Sequence, residues 1–172
     1  MRVVVVETPQ PVVMLDRAKQ HLRVDGIDDD ALIEGYIAAA TGMIDGPTGW
    51  LGRTIGRQTL EAAFAVVNCR RVTLPYPPVV RIDAVTLTRE GIAMPIAASR
   101  YTVAGETVTF RDLVTAADDT LTVRYQTGYE VVPPPIVAAI LLMTGELYAK
   151  RDGGDATFTA ATSLLQPLRV YR

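Results

Sequence analysis

The stretch PPPIVAAILLMTGELYAKR, residues 133–151, constrains the fold of this chain more than any other segment. Its prolines suit the first turn of a helix, where a missing N–H loses no intrahelical hydrogen bond. Apolar residues then recur at three- and four-residue steps, as at Ile136 and Ile140, which places them on one helical face. Lys150 and Arg151 follow, where positive charge favours a helix end. The stretch predicts a helix apolar enough to lie at the centre of a core.

Length and charge narrow the class of protein. The chain has 172 residues, which fits one domain, and 17 basic against 19 acidic residues give a net charge of -2. This balance does not indicate bulk attraction to nucleic acid or to an anionic membrane. The valine run at residues 3–6 is too short for a signal peptide, and the apolar stretch at 136–143 is far below the roughly 20 residues that span a bilayer. We expect a soluble, intracellular protein with no membrane partner.

Periodicity divides the chain into helical and extended parts. Residues 14–22 and 28–44 repeat apolar side chains at helical spacing, and residues 157–165 suggest a short last helix. Between them, residues 57–131 alternate apolar and polar side chains in short runs broken by Gly and Pro, which predicts an antiparallel β unit of about five or six strands. The expected fold class is therefore α+β: a small bundle of about four helices with an inserted β unit.

The expected domain organisation follows from these boundaries. One domain, residues 1–172, would contain a helical part at 12–47 and 133–166, the β unit at 57–131 and a tail at 167–172. The amino-terminal valines could form an edge strand or an extended arm that reaches another subunit. The tail is unusually apolar for a terminus, and termini fray unless they are tied down. It therefore either folds back on the core or inserts into a partner.

Few residues suggest catalysis. His21 is the only histidine and Cys69 the only cysteine, so a catalytic triad would need His21 as its base and no cysteine cluster can hold a metal. Carboxylates such as Glu61 and Asp83 have no spacing that calls for an acid pair. The glycine-rich segment 48–57 lacks the Gly-Lys-Ser/Thr ending of a phosphate-binding loop, and Trp50 within it is expected to anchor over the core edge. We predict no catalytic, cofactor or metal residue, and no enzyme.

The order of elements, taken with several phrases, resembles the head–tail connector (adaptor) proteins of tailed bacteriophages and gene transfer agents. The phrases that carry the resemblance are LDRAKQHLRVDGIDDDALIEGYIAAATGMID (15–45), GRTIGRQTLE (52–61), LPYPPVVRIDAVTL (74–87), YEVVPPPIVAAILLMTGELYAKRD (129–152) and LLQPLRVYR (164–172). They cover nearly the whole chain, and the amino-terminal valine run is not among them.

This resemblance implies a structural role in virion assembly. It implies a homo-oligomeric ring of about twelve subunits beneath the capsid portal, joining head to tail around a channel that DNA crosses without sequence-specific binding. The implied partners are the portal protein and the next neck or tail-completion protein. The implied location is the neck of a virion or virus-like particle assembled in the bacterial cytoplasm. The segment expected to dock on the portal consists of Leu164, Leu165, Leu168, Arg169, Val170, Tyr171 and Arg172.

Two other hypotheses remain open at the level of sequence. A monomeric protein-binding module would use the β sheet as its recognition surface, and would neither form a ring nor need the tail. A small hydrolase or nucleic-acid enzyme would need His21, or a pair of carboxylates assembled by the fold. The structural connector is the main hypothesis because it accounts for both the apolar tail and the lack of an active-site pattern.

Overall fold

A computed structural model describes residues 1–9, 11–66, 70–152 and 154–171 of the protein. Within them it has four α-helices and eight strands, and the fold class is α+β as predicted. The helices are α1 (Leu15–Leu22), α2 (Asp30–Ile44), α3 (Pro134–Ala149) and α4 (Thr159–Leu165). The strands are β1 (Arg2–Glu7), β2 (Gln58–Ala65), β3 (Arg71–Thr73), β4 (Val79–Arg89), β5 (Ile92–Pro95), β6 (Tyr101–Ala104), β7 (Thr107–Phe110) and β8 (Thr120–Thr127).

The chain forms two compact units: a helical unit, residues 11–56 and 129–171, and a β unit, residues 1–9 and 57–128. The amino-terminal valines belong to the β unit because β1 pairs along β2. Of the two alternatives for this run, the structure has the edge strand. Together with the short strands β3 and β5, it brings the number of strands above the five or six expected.

Helix α3 lies at the centre of the helical unit. Pro134 occupies its first position, as the proline start predicts, and α3 packs against α1, α2 and α4. Seven of its side chains are buried: Ile136, Val137, Ala139, Ile140, Leu141, Met143 and Thr144. Ile33, Ile37 and Ile44 of α2 and Leu165 of α4 complete the same core. No helix in the described part of the chain is both long and apolar enough to cross a bilayer.

The β unit contains two antiparallel sheets. The larger has the strand order β1-β2-β8-β4-β5 and the smaller has the order β3-β7-β6. Apolar side chains from both sheets form one buried cluster, with Leu60 and Leu121 from the larger sheet and Val108 and Phe110 from the smaller. Alternation of apolar and polar residues along the strands therefore reflects one core-facing side for each sheet.

The central role of α3 can be tested by truncating one of its buried side chains. Ile140→Ala should lower the free energy of unfolding by about 2–5 kcal/mol, because Ile140 is fully buried and the cavity cannot fully collapse. Leu142→Ala on the same helix is the control, since Leu142 is 38% exposed and should lose about 1 kcal/mol or less. Urea unfolding followed by circular dichroism measures both. Equal losses would show that α3 is not packed as described.

Candidate partner-binding segment at the carboxy terminus

The segment that begins at residue 154 and continues through α4 to residue 171, here called the tail segment, is held first by Glu146 of α3. The Glu146 carboxylate accepts hydrogen bonds from the backbone N–H groups of Thr157 at 2.7 Å and Phe158 at 3.1 Å. These residues immediately precede α4, where helix N–H groups lack partners within the helix. Lys150 adds an ion pair to the same carboxylate at 2.9 Å. A side chain of α3 therefore fixes where the next helix starts.

These bonds lower the pKa of Glu146 to about 2 from an ordinary value of 4.5. The N–H of Thr157 is the largest cause, followed by the Lys150 ammonium, and the N–H of Phe158 also contributes. Each interaction favours the charged carboxylate. The anchoring of the tail segment is thus coupled to the ionisation of one acid.

Helix α4 then buries one face in the helical core. Ala161 is 2% exposed and Leu165 is fully buried. Leu168, in the short 3-10 helix that follows, is half-buried and packs on the same core. The apolar character of this terminus is therefore partly satisfied by the chain itself.

The last described residues lie on the loop that joins α2 to the β unit. The N–H of Val170 donates to the carbonyl oxygen of Leu51 at 2.9 Å, and the Nε of Arg53 donates to the carbonyl oxygen of Leu168. Gly52, between them, has φ +70°, and a Cβ atom there would overlap the carbonyl oxygen of Val170. Gly52 thus provides both a left-handed backbone and the space that the tail segment occupies.

Aromatic rings and one arginine complete the contact. The guanidinium of Arg169 lies 5.3 Å from the ring centroid of Trp50 and 4.8 Å from that of Tyr171, within cation–π range. Gln166 donates to the Tyr171 hydroxyl at 2.8 Å. Trp50 itself is half-buried against the helical core, as expected from the sequence. Trp50 therefore reports on whether the tail segment is in place.

The residues that the resemblance assigns to portal binding differ in how buried they are. Leu165 is fully buried in the helical core, so its side chain is not available to a partner in this conformation. Leu168 and Val170 are half-buried, whereas Arg169, Leu164 at 39% and Tyr171 at 67% are exposed. Arg172 lies outside the described residues. Of the residues assigned to the portal, those whose side chains are exposed in the described part of the chain are therefore Leu164, Arg169 and Tyr171.

The residues that position the tail segment were not found from the sequence. Gly52 was visible only as one of several glycines in a turn-rich segment, and Arg53 only as part of a basic cluster. Glu146 carries no signal in the linear pattern, because its partners lie eleven and twelve residues away.

The other side chains considered for catalysis or metal binding lie at the surface, form ion pairs or fall outside the described residues. His21 is exposed on α1. Glu61 pairs with Arg124 across β2 and β8 at 3.0 Å. Asp119 has its pKa lowered to about 2, mainly by hydrogen bonds from Arg89, which joins β4 to the start of β8. Cys69 lies outside the described residues, and within those residues no three His, Cys, Asp or Glu side chains are grouped as metal ligands.

The fold gives the class first: this is an α+β protein whose carboxy-terminal segment packs on the helical core and exposes apolar and cationic side chains. The model of the head completion protein family matches residues 12–166, and the chain belongs to this family. The assignment confirms the resemblance to head–tail connector proteins of phages and gene transfer agents. It makes this a structural protein of virion assembly. A comparison with curated proteins found no match.

Solved structures with the same fold come from gene transfer agent (GTA) particles. A chain in the neck of an empty GTA particle, computed with C6 symmetry, matches with a TM-score of 0.80 and 19% identity. A chain in the virion of a native GTA particle matches with 0.79 and 19%, and one in the neck of a native particle, computed with C12 symmetry, with 0.73 and 16%. In each case the match covers 100% of this chain and 97% of the other. Likeness at this identity concerns the fold.

The coupling of the tail segment to Glu146 predicts a pH dependence. Because the pKa of Glu146 is depressed in the folded protein, its contribution is fully present above 4.5 and is lost as the pH falls through about 2. Acrylamide quenching of Trp50, the only tryptophan, should rise over that interval as the tail segment detaches. In Glu146→Gln, acrylamide should already quench Trp50 strongly at neutral pH, and the rise in quenching at low pH should be absent. An unchanged transition in Glu146→Gln would assign it to another group.

The role of Gly52 predicts a second effect. Gly52→Ala should reduce stability by about 1–2 kcal/mol through left-handed backbone strain, and should also displace Val170. Urea unfolding and Trp50 quenching should both change. Gly26→Ala is the control, because a Cβ atom there meets nothing within 4 Å. If the two variants had the same stability and the same Trp50 quenching, the tail segment would not need the space that a Gly52 side chain would fill.

Proposed function

We propose that this protein is a ring-forming subunit of the neck of a tailed phage or gene transfer agent, placed between the portal and the next neck or tail-completion protein. The observation that carries the proposal is membership of the head completion family across residues 12–166. The shared fold with GTA neck chains, one of them in a neck computed with C12 symmetry, supports a ring of about twelve copies.

The described surface supports assembly with other protein chains. Helix α2 leaves Leu32 39% exposed and Met43 42% exposed, and α3 leaves Leu142 38% exposed. An added Cβ at Gly35 or Gly42 of α2 would meet nothing within 4 Å, so packing within the chain does not require these helical glycines. Exposed apolar side chains on helices that also line the core suit burial against neighbouring subunits.

The tail segment is the proposed contact with the portal. Tyr171 and Leu164 supply apolar contact area, and Arg169 supplies a cation for acidic groups. Tyrosine and arginine contribute disproportionately to binding energy at protein interfaces. The half-buried Leu168 and Val170 would hold these exposed side chains in position by packing against the rest of the chain. The buried Leu165 contributes by anchoring α4 to the core.

A channel for DNA follows from the same proposal. The net charge of -2 suits a conduit that lets DNA pass without retaining it, because strong binding would need many cationic contacts to phosphates. The proposed role is structural and requires no chemical step. Assembly would take place in the bacterial cytoplasm, where the portal is made.

Native mass, measured alone and with purified portal, tests the proposal. The wild-type protein should give a species of about twelve times the 18.6 kDa chain, alone or on the portal, with ring-shaped particles in negative stain. The double variant Leu164→Ser, Tyr171→Ser should keep its fold and bind the portal at least about tenfold more weakly, because it loses two exposed apolar contacts.

Val131→Ser is the matched control, since Val131 is 82% exposed and lies outside the tail segment. A protein that stays monomeric both alone and with portal would overturn the ring and favour a binding module that uses its β sheet. Unchanged portal affinity in the double variant would remove the tail segment from that interface.

A further inference from the structure

The larger sheet of the β unit ends in two open edges. In the described part of the chain β1 pairs only with β2, and β5 pairs only with β4. The outward-facing N–H and C=O groups of an edge strand are a template for another strand. The sheet can therefore be extended from either side.

The two edges differ in how much they carry of the protection that isolated sheets usually have. Val4, Val5 and Val6 of β1 are exposed by 43%, 38% and 43%. In β5, Ile92 is 66% exposed and Met94 is 38% exposed. Natural edge strands are normally shielded by charged side chains, prolines, bulges or short length. In β1 charge is confined to the two ends and the irregularity lies beyond Val5, so the middle of this edge is unshielded. Strand β5 is better protected, because it has only four residues and ends at Pro95.

We infer that the two edges pair with each other between neighbouring copies, with β1 of one copy added to β5 of the next. The inference rests on the proposed ring. Adjacent strands of this sheet are all antiparallel, so in a sheet of five the first and last strands run in the same direction. A second copy added in the same orientation thus places its β1 parallel to β5. This contact uses two different surfaces, as a closed ring of identical subunits requires.

In one register, the core-facing side chains of β1 align with the core-facing side chains of β5. Val5 lies opposite the buried Leu60, and Met94 lies opposite the buried Leu87, so both point toward the core side of the sheet. Aligning Val5 with Met94 also aligns Val3 with Ile92 on that side. The apolar core of one β unit then continues into that of the next.

Charge favours the same register. The alignment brings Arg2 of one copy to Glu90–Gly91, the turn that precedes β5 of the other. Arg2 and Glu90 are both exposed and opposite in sign, so their attraction opposes a slip along the strand. On the outer face the register places Val4 beside Ala93. Backbone pairing supplies the affinity, and the side chains fix the alignment.

Disulfide trapping tests the pairing directly. In a Cys69→Ser background, one copy carries Val4→Cys and another carries Ala93→Cys; the two are mixed, assembled with portal and oxidised. Neighbouring strands bring Cα atoms within the roughly 4.4–6.8 Å that a disulfide spans, so an interchain 4–93 link is expected wherever the two variants meet in that order. Val4→Cys mixed with Val103→Cys is the control, because Val103 is 46% exposed but lies in the smaller sheet.

The outcomes separate this pairing from the proposed ring. Rings with a 4–93 link support both. Rings without that link, or a 4–4 link from Val4→Cys alone, overturn the pairing and leave the ring intact. A 4–93 link in a species that never forms rings supports the pairing and overturns the ring. Monomers without any link overturn both.

A charge swap tests the register. Arg2→Glu alone and Glu90→Arg alone should each raise the protein concentration needed for half-assembly by up to about fivefold, the upper range for an exposed ion pair. The combination Arg2→Glu, Glu90→Arg should restore the wild-type value. Failure of the combination to recover assembly would overturn this alignment.

Discussion

The burial of α3 among the other three helices is the constraint on which the helical unit depends. Its apolar side chains cover most of the helix surface, so it is stable only where α1, α2 and α4 exclude water from it. Fully burying side chains such as Ile136 and Ile140 contributes about 1.5–3 kcal/mol each, more than helix propensity could supply. The proline start fixes where this helix begins, and its length fixes how far the core extends.

The tail segment also depends on α3, through the polar side chain of Glu146. Glu146 faces away from the most apolar side of the helix and uses both carboxylate oxygens to hold the residues that lead into α4. Gly52 and Arg53 then receive the end of the chain. The tail segment is therefore packed on the helical core through Leu165 and Leu168, and its proposed contact with the portal is presented from that packed position.

The β unit solves a different physical problem. Its two sheets bury a shared apolar core, but within the described residues the larger one is open at both edges, which leaves hydrogen-bonding groups and apolar side chains at β1 and β5 in water. In the proposed ring, a subunit that meets its neighbours repeatedly can use such edges instead of shielding them. The features that are unfavourable in an isolated chain are then the ones that suit assembly.

The sequence by itself determined the helices, the fold class and the family resemblance. Proline placement and apolar spacing located α3, alternation located the β unit, and ordered phrases identified the connector resemblance. Only the tertiary structure decided which tail residues are exposed, because Leu164 and Leu165 are adjacent in the chain but lie on different sides of α4. It alone joined Glu146 to Thr157, Gly52 to Val170 and β1 to β2, since periodicity reports which face a residue occupies, whereas a contact between distant segments exists only once the faces are packed.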